Sequence, residues 1–232
     1  MALIRVGRVA GAEVVLDTSL LIAGPLLALI FADNFYGPSG GRYLIAGIFV
    51  VALYVSIFIH ECAHLLMGRA TGRQARTIEL MLFGGVTVFE GRATRPGQQF
   101  VTAIVGPIAS ILVGVGSLAV AELATGWIGA VAWSLGATNI ILGLFNLLPG
   151  LPLDGGQAMR AIVWKLTGRQ TSGIRATAWI GRAVAVLLVL VTLVRSDFSG
   201  TWAINLAFVV LVAWIMWQAA TAALRSLEMG TP

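Results

Sequence analysis

A polytopic all-α membrane protein with about six transmembrane helices, and small β-hairpins near its cytoplasmic side, is the fold class predicted by three features of these 232 residues. First, 58% of the residues are hydrophobic and only 11% charged, against a charged fraction near 25% in soluble domains. Second, the mean hydropathy is +0.93, more apolar surface than one water-soluble core can hide. Third, the apolar residues fall in charge-poor stretches close to the roughly 20 residues needed to cross a bilayer core. An ordinary soluble enzyme is excluded. The 28 glycines fit the same reading, because small residues let membrane helices approach closely.

Each element follows from where charge interrupts the apolar runs. The first span, about 18–32, lies between Asp17 and Asp33. A cleaved signal peptide competes there, since Arg5 and Arg8 precede it, but Asp17 interrupts the approach and no small-x-small cleavage site follows. Span two covers about 43–68 and span three about 96–121, with Pro107 inside it. Span four covers 127–148, beginning after the break at Gly126. Spans five and six cover 176–194, which includes Arg182, and 200–224. Residues 3–16 and 77–90 alternate in polarity around glycines and read as hairpins. The whole chain, 1–232, reads as a single membrane-embedded domain with its core at 43–160.

Six crossings place both termini and the connectors 65–95 and 149–175 on one side. Of the 15 Lys and Arg, the 12 at positions 5, 8, 69, 73, 76, 92, 95, 160, 165, 169, 175 and 225 then share that side. The other side holds Arg42 and Arg195, each near an acid, Asp33 or Asp197. By the positive-inside rule both termini are cytoplasmic, in the cell membrane. The formal net charge of +5 is therefore an orientation signal, and no nucleic-acid partner is implied. A single cysteine, Cys62, excludes an internal disulfide and any multi-cysteine metal site.

The chemistry concentrates at the inner end of span two, in His60-Glu61-Cys62-Ala63-His64. Residues four apart share a helix face, so both imidazoles can reach one zinc ion while Glu61 addresses its water. The chain has two histidines, and both are here. Ionisable groups at membrane depth are costly without a strong partner, and one Zn2+ ion is such a partner. A catalytic zinc needs a third protein ligand. Of the acids on the same side, Glu13, Asp17, Glu79, Glu90, Asp154 and Glu228, the best placed is Asp154, in Asn146-Leu147-Leu148-Pro149-Gly150-Leu151-Pro152-Leu153-Asp154-Gly155-Gly156. The alternative for Asp154 is an amino cap of a helix beginning near Gln157. The 77–90 hairpin, with Gly84 and Gly85 as candidate substrate contacts, offers an edge to which an unwound substrate strand could add, or else plugs the site. Thr102, Gly106, Ser110 and Gly114 form a small-residue stripe that reads as helix packing. Asn139 reads as a bridge between helices and Cys62 as an inert thiol.

These residues resemble the site-2 protease family of intramembrane zinc metalloproteases. The resemblance rests on H-E-C-A-H at 60–64, L-F-G-G-V at 82–86, V-G-P-I-A-S at 105–110 and N-L-L-P-G-L-P-L-D-G-G at 146–156. It covers about 57–160 closely. It implies His60, His64 and Asp154 as zinc ligands, Glu61 as catalytic acid/base and Asn146 as a substrate or oxyanion contact. It also implies transmembrane protein or peptide substrates within the lipid bilayer: single-pass regulators, such as tethered transcription factors or anti-sigma factors, or remnant signal peptides. Many members carry a PDZ domain after span three or paired cystathionine-synthase-like domains after the last span; neither is read in these residues, so the chain looks like a minimal form. The alternative from another class is a metal-ion or proton-coupled transporter, since intramembrane His, Glu and Asp also form ion pathways.

Overall fold

The computed structural model describes residues 3–35, 41–81, 84–195 and 202–229. Asp197, residues 200 and 201 at the start of the sixth expected span, and Leu82 and Phe83 of the 82–86 motif lie outside the described residues. Contacts divide the chain into two compact units: Met1–Ala93 with Val105–Phe145, and Thr94–Ile104 with Asn146–Pro232.

Both expected hairpins form. Strand β1 (Leu3–Val9) pairs antiparallel with β2 (Ala12–Asp17), and β3 (Ala75–Met81) pairs antiparallel with β4 (Gly84–Phe89). The sequence did not show that they join: β2 and β3 run parallel, Glu13 opposite Thr77 through Leu16 opposite Leu80, giving one sheet of order β1-β2-β3-β4. A parallel pair needs a long crossover, here helices α1 (Leu20–Phe31) and α2 (Gly41–Ala70). Strand β4 is an edge of that sheet.

Helix α1 begins where the Ser19 N–H donates to Asp17 Oδ1 at 2.7 Å; that bond holds the Asp17 carboxyl below its usual pKa. It has only 12 residues, prolonged by a 3-10 turn at Ala32–Asn34. The other expected spans are long helices: α2, α3 (Pro96–Leu123), α4 (Gly126–Asn146), α6 (Gln170–Val194) and α7 (Trp202–Glu228). These five are long and apolar enough to cross a membrane. Between α4 and α6 lies α5 (Asp154–Thr167), a helix of mixed polarity. Large apolar side chains such as Val51, Leu112, Trp133, Ile141 and Leu187 remain exposed, as a lipid-facing surface requires.

Within the first unit, Phe49 of α2 is fully buried against Phe31 and Phe35, ring centroids 5.0 and 5.8 Å away. The sheet docks on the other end of α2. Ala12, Ile78 and Leu80 bury against Leu65, with Cys62 packed on the same cluster, and Phe89 fits against Gly68, where no Cβ could stand. Helices α3 and α4 approach so closely that a Cβ on Gly114 would lie 2.9 Å from the Gly136 carbonyl oxygen. That part of the small-residue stripe is packing, as expected. Asn139 is fully buried, and among the described residues its side chain donates to Leu135 O in its own helix, at 2.9 Å, with no bond to another helix. At the far end of α2, Arg42 donates to Asp33 at 3.1 Å, the pairing the charge pattern implies.

In the second unit, α6 and α7 form an antiparallel pair, Ala185 packing on Met216 and Ala213. The Pro-Gly segment before α5 folds tightly: a Cβ on Gly155 would collide with the Leu147 carbonyl, and one on Gly156 would sit 2.6 Å from the Gly150 carbonyl oxygen. Gln99 Nε2 donates to Gln157 Oε1 at 3.0 Å, tying the start of α3 to α5. Because backbone cannot yield as a flexible side chain can, Gly155→Ala is expected to destabilise the fold by about 1–3 kcal/mol. A thermal unfolding midpoint in detergent equal to that of the parent would contradict this packing.

Candidate metal centre

The centre is built on α2. A helix carries residues i and i+4 on one face, and α2 is unbroken through Gly41–Ala70, so the spacing of His60 and His64 becomes a spatial pair. Their Nε2 atoms lie 3.1 Å apart, with the rings edge-on at a centroid separation of 4.8 Å. His60, Glu61 and His64 are all more than nine-tenths buried.

What fixes His60 is Ser110 on α3: the imidazole Nδ1 and the Ser110 Oγ lie 2.9 Å apart. With Nδ1 carrying its proton toward that hydroxyl, Nε2 is left as a lone-pair donor facing His64. The space in front of the two Nε2 atoms is kept open by Gly106, one turn before Ser110. A Cβ at Gly106 would collide with His64 Nε2 and sit 2.7 Å from His60 Nε2. Gly106 and Ser110 were read as packing; the structure corrects this, since both face the imidazoles. A stripe of small residues spells close approach, but not whether a helix or a functional side chain fills the gap.

Glu61 projects toward the sheet. The Thr87 hydroxyl donates to Glu61 Oε2 at 2.7 Å and also lies 3.1 Å from the Glu61 carbonyl oxygen. Gly85 permits this, because a Cβ there would stand 2.6 Å from Glu61 Cγ and 3.0 Å from Oε1. The sequence reading missed Thr87 altogether. Its only signal was its place beside the glycine pair in a strand, which does not by itself reveal what the strand touches. Gly84 pairs with Met81 at the hairpin end and has a φ of +137°. Asn146 is the last residue of α4 and half-buried. Asp154 is the first residue of α5, and the amino-cap position belongs to Leu153, so Asp154 is not the cap that was weighed for it.

Within the first unit, His60 and His64 each offer an imidazole nitrogen to a metal ion. The donor set suits zinc. Two imidazole nitrogens on a tetrahedral zinc, at bonds of about 2.0–2.1 Å, stand about 3.3 Å apart, close to the 3.1 Å between the Nε2 atoms.

The model of "Peptidase family M50" matches residues 121–191, and that of "Peptidase M50B-like" matches 41–147. Rip3 of Mycobacterium tuberculosis, named among the zinc metalloproteases, is 35% identical over 227 residues, covering 94% of this chain and 57% of that protein. Over the stretches that the two models match, the chain is similar to peptidase family M50. A Synechocystis protein, sll0528, also named a zinc metalloprotease, is 32% identical over 232 residues, covering 97% of this chain and 61% of its own length. The chain thus spans about three-fifths of the length of the curated relatives it matches. Its fold matches the site-2 protease from Methanocaldococcus jannaschii with a TM-score of 0.64 at 22% identity, covering 96% of this chain and 95% of that one. Five long apolar helices and this likeness fit a multi-pass membrane protein, and both relatives are named zinc metalloproteases.

Outer partners of metal-bound histidines set affinity, typically by 10–100-fold. Ser110→Ala is therefore expected to weaken zinc binding about tenfold or more, and Gly106→Ala to weaken it further by filling the space before the imidazoles. Zinc per chain, measured after dialysis against graded chelator, reads both; retention equal to the parent would refute the assigned contacts.

Proposed function

We propose that this protein is an intramembrane zinc metalloendopeptidase that hydrolyses peptide bonds in or near the transmembrane segments of membrane-protein substrates. The observation that carries the proposal is the pair of buried imidazoles on α2, 3.1 Å apart at Nε2, with Glu61 beside them. His60, His64 and Asp154 are the residues that hold the metal in this reading. When bound, zinc supplies Lewis-acid polarisation of the scissile carbonyl and acidifies the attacking water.

The chain's own residues do the rest. Glu61 takes a proton from the water and passes it to the leaving amine. The Thr87 hydroxyl, bonded to Oε2, holds the carboxylate in place for that transfer. A substrate helix has its peptide groups bonded internally and must unwind before attack. Edge strand β4 offers main-chain groups to an unwound segment. Gly84 and Gly85 keep that edge low beside Glu61, and Asn146 supplies an amide for the substrate chain or the developing oxyanion. The fold crosses the bilayer six times in this reading, α1 making the short first crossing, and the chain acts as one membrane-embedded domain. Both termini face the cytoplasm across the cell membrane, in keeping with the 12 basic residues on that side. The substrates implied by the family resemblance are single-pass regulators or remnant signal peptides. A transporter is disfavoured because its polar groups would follow a path through several spans, whereas His60, Glu61 and His64 occupy one turn.

Glu61→Gln is expected to lower cleavage of a transmembrane peptide in detergent by at least about 100-fold, with expression and zinc content unchanged. Undiminished cleavage would overturn the proposal. Thr87→Val is expected to lower kcat about tenfold while KM and zinc content hold, and Thr87→Ser to restore it; a loss shared equally by Ser and Val would show that the residue serves only packing.

A further inference from the structure

One charged side chain inside the apolar helices is not used by hydrolysis: Arg182, in the middle of α6. Its guanidinium carbon stands 4.9 Å from the ring centre of Trp179 on the same helix and 4.8 Å from that of Trp217 on α7. One terminal nitrogen donates to Thr221 Oγ1 at 2.9 Å, while Nε is buried with no hydrogen-bond partner among the described residues. Arg42, the arginine at the far end of α2, has a carboxylate at 3.1 Å. Among the described residues Arg182 has none.

Two aromatic faces ease the placement of a cation in hydrocarbon, but they leave its charge uncompensated and its N–H donors largely unspent. The position along the pair says where an anion would come from. Arg175 lies seven residues before Arg182 on α6, and Arg225 four after Thr221 on α7. At 1.5 Å per residue these are about 10 and 6 Å, so the basic end of the antiparallel pair is one to two turns away. That is within reach of an arginine extending toward a headgroup layer. The flanking indoles, Trp179 and Trp217, are 59% and 43% exposed on the outer face of the pair, and tryptophan favours that level of the membrane.

We propose that Arg182, Trp179, Trp217 and Thr221 form a binding site for the phosphate of an anionic phospholipid, held by the planar guanidinium fork and bracketed by the two indoles. Arginine suits this ligand because its fork meets two phosphate oxygens at once. A free phosphate ion shares the chemistry, and the experiment separates the two sources.

The full chain is reconstituted in nanodiscs of phosphatidylcholine with graded phosphatidylglycerol, and bound lipid is counted by native mass spectrometry on release. The expected result is a preference for phosphatidylglycerol that falls about tenfold in Arg182→Gln. Arg182→Lys should recover only part of it, and Arg225→Gln should retain it. No preference in the parent chain overturns the site, whether or not the variants fold. Equal losses in Arg182→Gln and Arg225→Gln overturn it too, by showing general surface charge. In a second arm, inorganic phosphate is added to pure phosphatidylcholine nanodiscs and the unfolding midpoint followed. No shift is expected; a shift that Arg182→Gln removes would overturn the lipid assignment in favour of free phosphate.

Discussion

The structure depends on what it costs to bury three ionisable groups in one turn of a membrane helix. His60, Glu61 and His64 lie within α2 and are each more than nine-tenths buried. Unpartnered polar groups there would be expensive enough to favour another arrangement of the helix. Each has therefore been given something to hold. Ser110 meets His60 Nδ1, Thr87 meets Glu61 Oε2, and the two imidazoles turn their Nε2 atoms toward one another. The neighbouring elements look arranged to deliver these partners: α3 brings a serine and a glycine one turn apart, and the sheet brings a threonine on its edge strand.

The sheet explains why strands exist in so apolar a protein. Its inner residues Ile78 and Leu80 bury against α2 at Leu65, and Gly85 lets β4 come down onto Glu61. A helix in that place would satisfy its own backbone and present only side chains. An edge strand keeps main-chain donors and acceptors available at the buried carboxylate, which is the property that the proposed hydrolysis of an extended peptide would use. The parallel β2–β3 pairing anchors this edge by tying it to the β1–β2 hairpin at the start of the chain.

Much of this was legible because membrane helices declare themselves through composition, and because the i, i+4 geometry of α2 is local. The ends of α3, α4 and α7 fall within a few residues of the breaks set by Arg95, Gly126 and Arg225. Helix α6 starts six residues before the expected 176, because the charge of Arg175 ends an apolar run but does not end a helix. The short α1 reads like a span by hydropathy, yet Asp17 and the turn at Ala32–Asn34 confine it to 12 residues. Thr87 stood out little because threonine is among the residues enriched in strands, and Ser110 was hidden in a stripe whose spacing equally suits packing.

What the sequence by itself determined is everything written in short-range periodicity and composition: a helical membrane chain, two hairpins, and an H-E-x-x-H turn whose histidines must share a face. The tertiary structure alone decided which distant residues complete that turn. The parallel pairing of Glu13–Leu16 with Thr77–Leu80, Ser110 on His60, Gly106 before both rings and Thr87 on Glu61 are contacts between positions from 26 to 64 residues apart. Such contacts are set by how whole elements pack, and no local pattern in the chain encodes which neighbour a side chain will meet.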